Sequence, residues 1–305
     1  MAFFLHSLHT LLVKEVVFPP LKPVPFISLP GEIRALFDGE ASQADAFVIS
    51  DDRAAEASVR IAPTGDTVIY LHPRASVRIY LTIGSSSRIN VVLADEARCD
   101  LVCLLDASSE SIHVDQESVI ASGASMQWRN ITLGGGIEQR LVSRVTGANG
   151  VSNIDWIFTA HGQERQELAV TNVFEAADGG GEIVMKGVAE GKAHVAAKGK
   201  IEIGPHGGGT NTYLTQNVLM LDASSKVDAV PALEIKTNDV KASHSATVSR
   251  VTPEDLFYFA SRGIEAAEAR AMYVQGFLGE LLGKIEDAVL REELSELLMR
   301  ALAIT

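Results

Sequence analysis

One histidine stands out by its setting, near the end of a long region of short apolar runs. His244 lies in the segment from Asp239 to Val248, between small residues on both sides. Small neighbours leave an imidazole accessible, and an accessible imidazole can bind a metal or transfer a proton. Local chemistry alone favours a hydrogen-bonded structural histidine, so a functional role for His244 needs support from elsewhere in the chain.

The cysteines are too few and too far apart for a disulfide framework or a four-thiolate metal site. Cys99 and Cys103 lie four residues apart on a predicted strand. They would face the same side of the strand about 13 Å apart, which exceeds disulfide reach. We therefore predict that both thiols pack in the core.

Glycine triplets and acidic pairs suggest two other chemistries. No triplet is followed by the Gly-Lys-Ser/Thr of a phosphate-binding loop, so we interpret the triplets as turns or bulges. Polysaccharide cleavage needs two carboxylates converging on one exposed face, whereas adjacent strand residues point to opposite faces. Solvated turns therefore explain the acidic pairs better. These segments are Gly134–Gly136, Gly179–Gly181, Gly207–Gly209, Asp51-Asp52 and Asp95-Glu96.

The region that must position these residues reads as strands. Apolar residues alternate in short runs over residues 46–250, and small polar turns separate the runs. A sandwich, a barrel and a β-helix all satisfy this pattern. The length of the region, its small turns and its steady aliphatic inward positions favour a β-helix, in which each coil buries its face by stacking on its neighbours. The clearest runs are Val77, Ile79, Leu81 and Ile83; Ile89, Val91 and Leu93; and Leu101, Cys103 and Leu105.

Different patterns flank this β body. Residues 1–45 carry five of the ten prolines and predict an extended arm laid over a neighbouring element. Residues 251–305 predict a helical domain. Thr252, Pro253, Glu254 and Asp255 signal a helix start, and Gly263 closes that first helix. A second helix follows from about Glu265 and a third nearer the end. Their predicted apolar stripes are Met272, Phe277, Leu281 and Ile285, then Leu294, Leu297, Leu298 and Leu302.

The chain's charge bears on its partners. A net charge of −13 argues against nucleic acid or an anionic membrane as the main partner. The apolar start, Met1 to Phe18, lacks a basic region and a cleavage site, and no stretch is long enough to span a membrane. We expect a cytoplasmic protein in a reducing compartment.

Several spaced blocks in the last third carry a family resemblance. They include Thr215-Gln216 through Leu221-Asp222, Pro231 to Ile235, Asp239 to Lys241, Ser243-His244, Ala246 to Val248, Leu256 to Tyr258, Ser261 to Ile264, and Gly276-Phe277. In this order they resemble the SufB/SufD family of iron–sulfur cluster assembly proteins. The resemblance implies a right-handed parallel β-helix followed by a small C-terminal α-helical domain, which agrees with the fold predicted from the residues.

Particular positions make the chain resemble the SufD branch. SufB-like proteins carry a cysteine just after the Thr-Gln pair and acids beside the histidine. Here Asn217 occupies the first place, and Ser243 and Ser245 flank His244. SufD sequences often carry a cysteine two residues before the histidine; this chain has Ala242 there, which weakens the case for a thiolate ligand from this chain.

The resemblance implies a non-enzymatic scaffold. A SufB-like β-helix protein would pair with this chain, and a SufC-like ABC ATPase would dock on the C-terminal helical domain. ATP binding would strain the pair and expose the interface. A transient iron–sulfur cluster would then form between the partner's thiolate and His244, which would be the metal ligand of this chain. No cofactor is expected to bind the isolated chain tightly.

The ATPase-docking platform implied in this way comprises Phe257, Tyr258, Arg262, Gly263 and Ile264. Internal packing is the alternative for the two aromatic side chains. Two further functions stay open at this point: a carbohydrate-active β-helix enzyme, and a self-associating β-helix homodimer.

Overall fold

A computed structural model describes residues 22–25, 28–34, 44–50, 58–63, 65–107 and 111–302. The acidic pair Asp51-Asp52, the segment from Met1 to Phe18 and most of the proline-rich arm lie outside these residues. In the described part of the arm, the Val24 N–H donates to the Ala46 carbonyl at 2.7 Å. This antiparallel bridge is the contact expected of an extended segment laid over a neighbouring element.

The described residues form sixteen strands in two parallel eight-stranded sheets, with odd-numbered strands in one sheet and even-numbered strands in the other. The predicted parallel β-helix is confirmed. The strands are β1 Asp45–Ile49, β2 Ser58–Ile61, β3 Thr67–Leu71, β4 Ser76–Ile83, β5 Ser87–Leu93, β6 Arg98–Asp106, β7 Ser111–Ile120, β8 Ser125–Leu133, β9 Gly136–Val145, β10 Val151–Ala160, β11 Arg165–Phe174, β12 Gly180–Ala189, β13 His194–Ile203, β14 Asn211–Met220, β15 Lys226–Ile235 and β16 Lys241–Arg250.

The core lies between the two sheets and is filled by alternate residues of every strand. The runs predicted for β4, β5 and β6 are buried there. Polar side chains share this interior at mid-stack and bond to each other: the Trp156 Nε1–H donates to Thr132 Oγ1 at 2.9 Å, and Thr132 donates to Gln139 Oε1 at 2.7 Å. Buried polar groups are tolerated when they are paired in this way.

Turns between strands use glycine where the backbone requires it. Gly135 has φ +77, and a Cβ added there would lie 2.2 Å from the Ala107 carbonyl oxygen. Asp95 and Glu96 also lie in a turn, as predicted, with Glu96 at φ +60. Gly135, Asp95 and Glu96 are therefore turn residues as predicted, whereas Gly136 belongs to β9 and Gly180 and Gly181 belong to β12.

The described helices are α1 Gly31–Arg34, α2 Pro253–Ala260, α3 Ala266–Leu282 and α4 Ala288–Ala301. Thus β16 ends at Arg250 and α2 begins three residues later. The division of the chain into separate domains at these points stays a prediction. No helix among the described residues is long and apolar enough to cross a membrane.

The helices α3 and α4 pack on the outer face of the even-numbered sheet and leave the end of the stack open. Leu281, Ile285 and the predicted leucines of α4 are buried in this contact, but Met272 is 45% exposed, so its place in the stripe was wrong. Helical spacing is the reason: Val274, Leu278 and Leu281 form the buried stripe of α3, and Met272 lies off that face.

Candidate functional site

His244 occupies a core column of the even-numbered sheet at the last strand of the stack. The strand register places it directly above Leu214, which is itself fully buried. His244 is exposed because no further strand among the described residues covers β16. The residues below it in the same column, in order down the stack, are Leu214, Ile183, Ile154, Trp128 and Leu101.

The backbone of His244 also points to the open edge. The Lys241 N–H donates to the Thr210 carbonyl, one residue before β14, at 2.8 Å, and the Val251 N–H donates to the Met220 carbonyl of β14 at 3.1 Å. In a parallel sheet alternate residues bond to opposite neighbours, so odd-numbered residues of β16 bond to β14 and even-numbered residues face away from it. His244 therefore offers its side chain, its N–H and its carbonyl at the end of the stack.

The open edge of β15 differs from that of β16. The Lys226 N–H donates to the Ala193 carbonyl, one residue before β13, and the Lys236 N–H donates to the Ile203 carbonyl of β13, both at 2.9 Å. The odd-numbered residues of β15 therefore face the open edge. Pro231 stands at the middle of this row and has no N–H. The donor row of β15 is thus interrupted, whereas the five edge-facing positions of β16 contain no proline.

Small side chains surround His244 on its own strand. Ala242 and Ala246 share its face, and Ser243 and Ser245 point to the outside of the sheet. No group of three or more histidines, cysteines or acids able to hold a metal occurs among the described residues. Among the described residues, His244 therefore offers a single imidazole that belongs to no cluster of three potential metal ligands.

Both cysteines are buried free thiols, as predicted. Burial raises the pKa of Cys99 well above its ordinary value and that of Cys103 to about 12. They lie on β6, five strand positions from β16 in the same sheet, which is about 24 Å at the usual strand spacing. The thiols of this chain therefore lie far from His244 and stay protonated near neutral pH.

The residues predicted for ATPase docking come together on α2 and the turn after it. Phe257 is 74% exposed and Tyr258 is 54% exposed, so neither packs internally. The Arg262 guanidinium lies 4.5 Å from the centre of the Tyr258 ring. Gly263 has φ +81, and the Ile264 N–H donates to the Phe259 carbonyl at 3.1 Å.

The predicted start signal of α2 is present in full. Thr252 Oγ1 accepts from the Asp255 N–H at 3.2 Å, and the Asp255 carboxylate accepts from the Thr252 N–H at 2.9 Å. This capping box fixes the helix three residues beyond the edge strand. Only Val251 and Thr252 separate β16 from α2, so the strand that carries His244 and the helix that carries Phe257 are directly joined.

Sequence reasoning missed the charged groups that hold α3 against the sheet. The buried Lys186 of β12 donates to the Phe277 carbonyl at 3.2 Å and pairs with Glu280, whose pKa it lowers. Asp155 of β10 pairs with Lys284 at 2.7 Å, just after α3. The partners lie far apart in the chain, so no local motif signals them.

Two acids on the outer face of the even-numbered sheet flank one arginine. Arg129 pairs with Asp100 at 2.9 Å and with Asp155 at 3.2 Å. A glycosidase needs one carboxyl group to act as an acid and another to act as a base or nucleophile. Because Arg129 holds both carboxylates in ion pairs, these acids do not favour the carbohydrate-active alternative.

Comparison with known proteins gives the family. The model of the family described as "SUF system FeS cluster assembly, SufBD core domain" matches residues 55–277, which include His244 and α2. The chain belongs to the SufBD family. The predicted family resemblance is therefore confirmed.

Curated relatives are more distant in sequence. An iron–sulfur cluster assembly SufBD family protein of Mycobacterium leprae is 28% identical over 215 residues, covering 67% of this chain and 55% of that protein. A relative of the same description from Mycobacterium tuberculosis is 29% identical over 214 residues, covering 67% of this chain and 54% of that protein. The chain thus spans about half the length of the curated relatives it matches.

Proposed function

We propose that this chain is a SufD-like, non-catalytic scaffold subunit of a cytoplasmic SufBCD-type complex. It pairs with a SufB-like β-helix protein through the open end of its own β-helix and docks a SufC-like ATPase on α2. The observation that carries the proposal is the exposure of His244 in a core column at the uncovered last strand. A core column that ends in an exposed imidazole is suited to completion by another molecule.

The edges favour pairing on the β16 side. A strand added to β16 meets an unbroken row of backbone donors and acceptors, while a strand added to β15 meets Pro231 at its centre. Natural proteins use proline to block pairing at exposed edges. The partner therefore adds its strand next to His244, and its side chains come within reach of that imidazole.

The chemistry of the site requires ligands from both subunits. The cargo is iron and sulfide, and neutral imidazole and thiolate both bind iron. This chain supplies the imidazole, because its own thiols are buried and remote. The partner supplies the thiolate. The cluster is held at the interface only while it is assembled, and the isolated chain keeps no tightly bound cofactor.

The helical region supports a mechanical role. The exposed aromatic residues of α2 offer an apolar docking surface, and α2 continues directly from β16. The body of α3 is clamped to β12 by Lys186, and Lys284 binds Asp155 of β10. Movement of α2 by an ATPase would therefore be transmitted first to the strand that carries His244.

Paired lysine variants on β16 test this proposal. Ala246→Lys places a long charged side chain on the face and edge that His244 shares, whereas Thr247→Lys places it on the outer face one residue away. We expect Ala246→Lys to abolish co-purification with a SufB-like protein in the presence of the ATPase, and to lower cluster yield. Thr247→Lys should preserve both, because its charge lies outside the interface.

Sedimentation of the wild-type chain, alone and with each partner, completes the test. A complex containing a SufB-like subunit supports the proposal. A stable homodimer that excludes this subunit overturns it in favour of the self-associating alternative. Equal effects of the two lysine variants would contradict pairing through the β16 edge.

A further inference from the structure

The outer rim of the odd-numbered sheet contains a basic cleft that the scaffold function does not use. The cleft has a volume of about 410 Å³ and opens at the turns before β11, β13 and β15. All of its side chains are polar. They are Gln163, Arg165, Lys192, His194, Ser224 and Lys226.

Three of these side chains form a ladder along the stack. Arg165, His194 and Lys226 are the first residues of their strands, and the register pairs each directly with the next. Adjacent rungs are therefore one strand spacing apart, about 4.8 Å. Lys192 stands in the turn two residues before His194 and adds a further cation.

Most of this positive charge is uncompensated. His194 Nε2 lies 3.0 Å from Asp228 Oδ2, so the His194 imidazole is already paired with a carboxylate. Within the described part of the chain, Arg165, Lys192 and Lys226 form no ion pair. Ser224 already donates its hydroxyl to the Gly191 carbonyl at 2.6 Å and is not a free donor.

Other clefts of the described residues differ in this respect. The arginine-lined cleft around Arg140 includes Asp115 and Glu117, and the cleft at Arg129 includes Asp100. A fourth cleft, next to α4, includes Asp106 and Glu164. The cleft at Arg165 has no carboxylate in its lining. The chain has a net charge of −13, so a cluster of cationic side chains without carboxylate partners sets this cleft apart from the others.

We infer that this cleft is a binding site for a diphosphate group. Guanidinium forks and ammonium groups are the usual protein partners of phosphoryl oxygens. A single phosphate reaches two neighbouring rungs, whereas two linked phosphates can contact Arg165, Lys192 and Lys226 together. The one ring in the lining is the His194 imidazole, which is paired with Asp228, and no aliphatic side chain lines the cleft to hold a base or sugar. Recognition is therefore confined to the phosphates, whether the ligand is inorganic diphosphate or a nucleoside diphosphate.

This inference does not rest on the scaffold function, so each can fail without the other. Binding to inorganic diphosphate, orthophosphate and ADP can be measured by calorimetry on the full chain at low ionic strength. The test variant is the double substitution Arg165→Gln/Lys226→Gln. A matched control, Arg98→Gln/Lys198→Gln, removes the same charge from exposed residues elsewhere on the two sheets.

We expect the test variant to weaken diphosphate binding at least about tenfold, and the control to change it less than about twofold. Orthophosphate should bind more weakly than diphosphate, and added salt should weaken both. Comparable affinities for diphosphate and ADP, or weaker binding of ADP, support recognition of the phosphates alone. The inference is overturned by no binding to the wild type, by equal losses in both variants, by equal affinity for orthophosphate, or by much tighter binding of ADP.

Discussion

His244 differs from the other residues of its core column in exposure. The five residues below it are aliphatic or aromatic and are buried, whereas the histidine lies where the column stops. A side chain that packs against one neighbouring rung contributes less to folding than one covered on both sides. The residue type at position 244 is therefore less constrained by folding and can serve a chemical function.

This gives a prediction for His244→Ala. We expect the unfolding free energy to change by less than about 0.5 kcal/mol, because an exposed side chain is removed. Cluster yield in the reconstituted complex should fall several-fold, because an imidazole ligand is lost. Thermal unfolding and visible absorbance of the cluster measure the two effects. His206→Ala, at an exposed turn, is the control and should leave the yield unchanged; an unchanged yield for His244→Ala would remove this residue from the site.

The cysteines give a second prediction at this scale. Burial raises the pKa of both thiols, and that of Cys103 to about 12. Alkylation by iodoacetamide at pH 8 should therefore modify neither thiol in the folded chain and both after denaturation, as read by mass spectrometry. Because the shifts are upward, stability linked to these thiols is complete below their ordinary pKa and declines as the pH rises toward about 12. Rapid modification of the native chain would contradict this account.

At the scale of elements, α2 is largely exposed, whereas α3 is buried along one face. α2 has no buried residue and rests on α3 through the Phe259 ring, 5.5 Å from the ring centre of Tyr273. α3 buries one full face against the sheet. An exposed apolar helix on an anchored support is typical of a docking element.

Phe257→Ala tests the docking role of α2. We expect ATPase affinity to fall at least about tenfold, because large aromatic residues dominate interface energies. The unfolding temperature should stay unchanged, since Phe257 covers no core residue. Met272→Ala removes an exposed apolar side chain from α3 and is the matched control. Equal binding by both variants, measured by calorimetry, would place the ATPase elsewhere.

At the scale of the whole molecule, the stack has one end with two unlike edges. Each rung is covered by the next until β15 and β16, whose outer backbone groups meet no strand among the described residues. Such edges invite uncontrolled pairing. Pro231 interrupts one of them, and the other carries His244, so of these two edges β16 is the one that offers an unbroken row of backbone groups.

Much of this arrangement could be predicted because it depends on local patterns. Alternation predicted the strands of the core, and Thr252 to Asp255 predicted the start of α2. The buried polar residues around Gln139 were missed, because hydrogen-bond partners inside a stacked core come from different coils. The clamp between Lys186 and Glu280 joins residues 94 positions apart, which no local motif can reveal.

The order of the strands in the sheet also fixes the distance between the helical support and the open edge. α3 is anchored on β12, and the open edge is β16, two rungs further along the same sheet, or about 10 Å. The cluster that packs the helices on the sheet extends to Tyr80 of β4. Coils beyond β4, on the side away from β16, could therefore be gained or lost during evolution without disturbing this contact. The offset between the helical support and the pairing strand would be inherited unchanged.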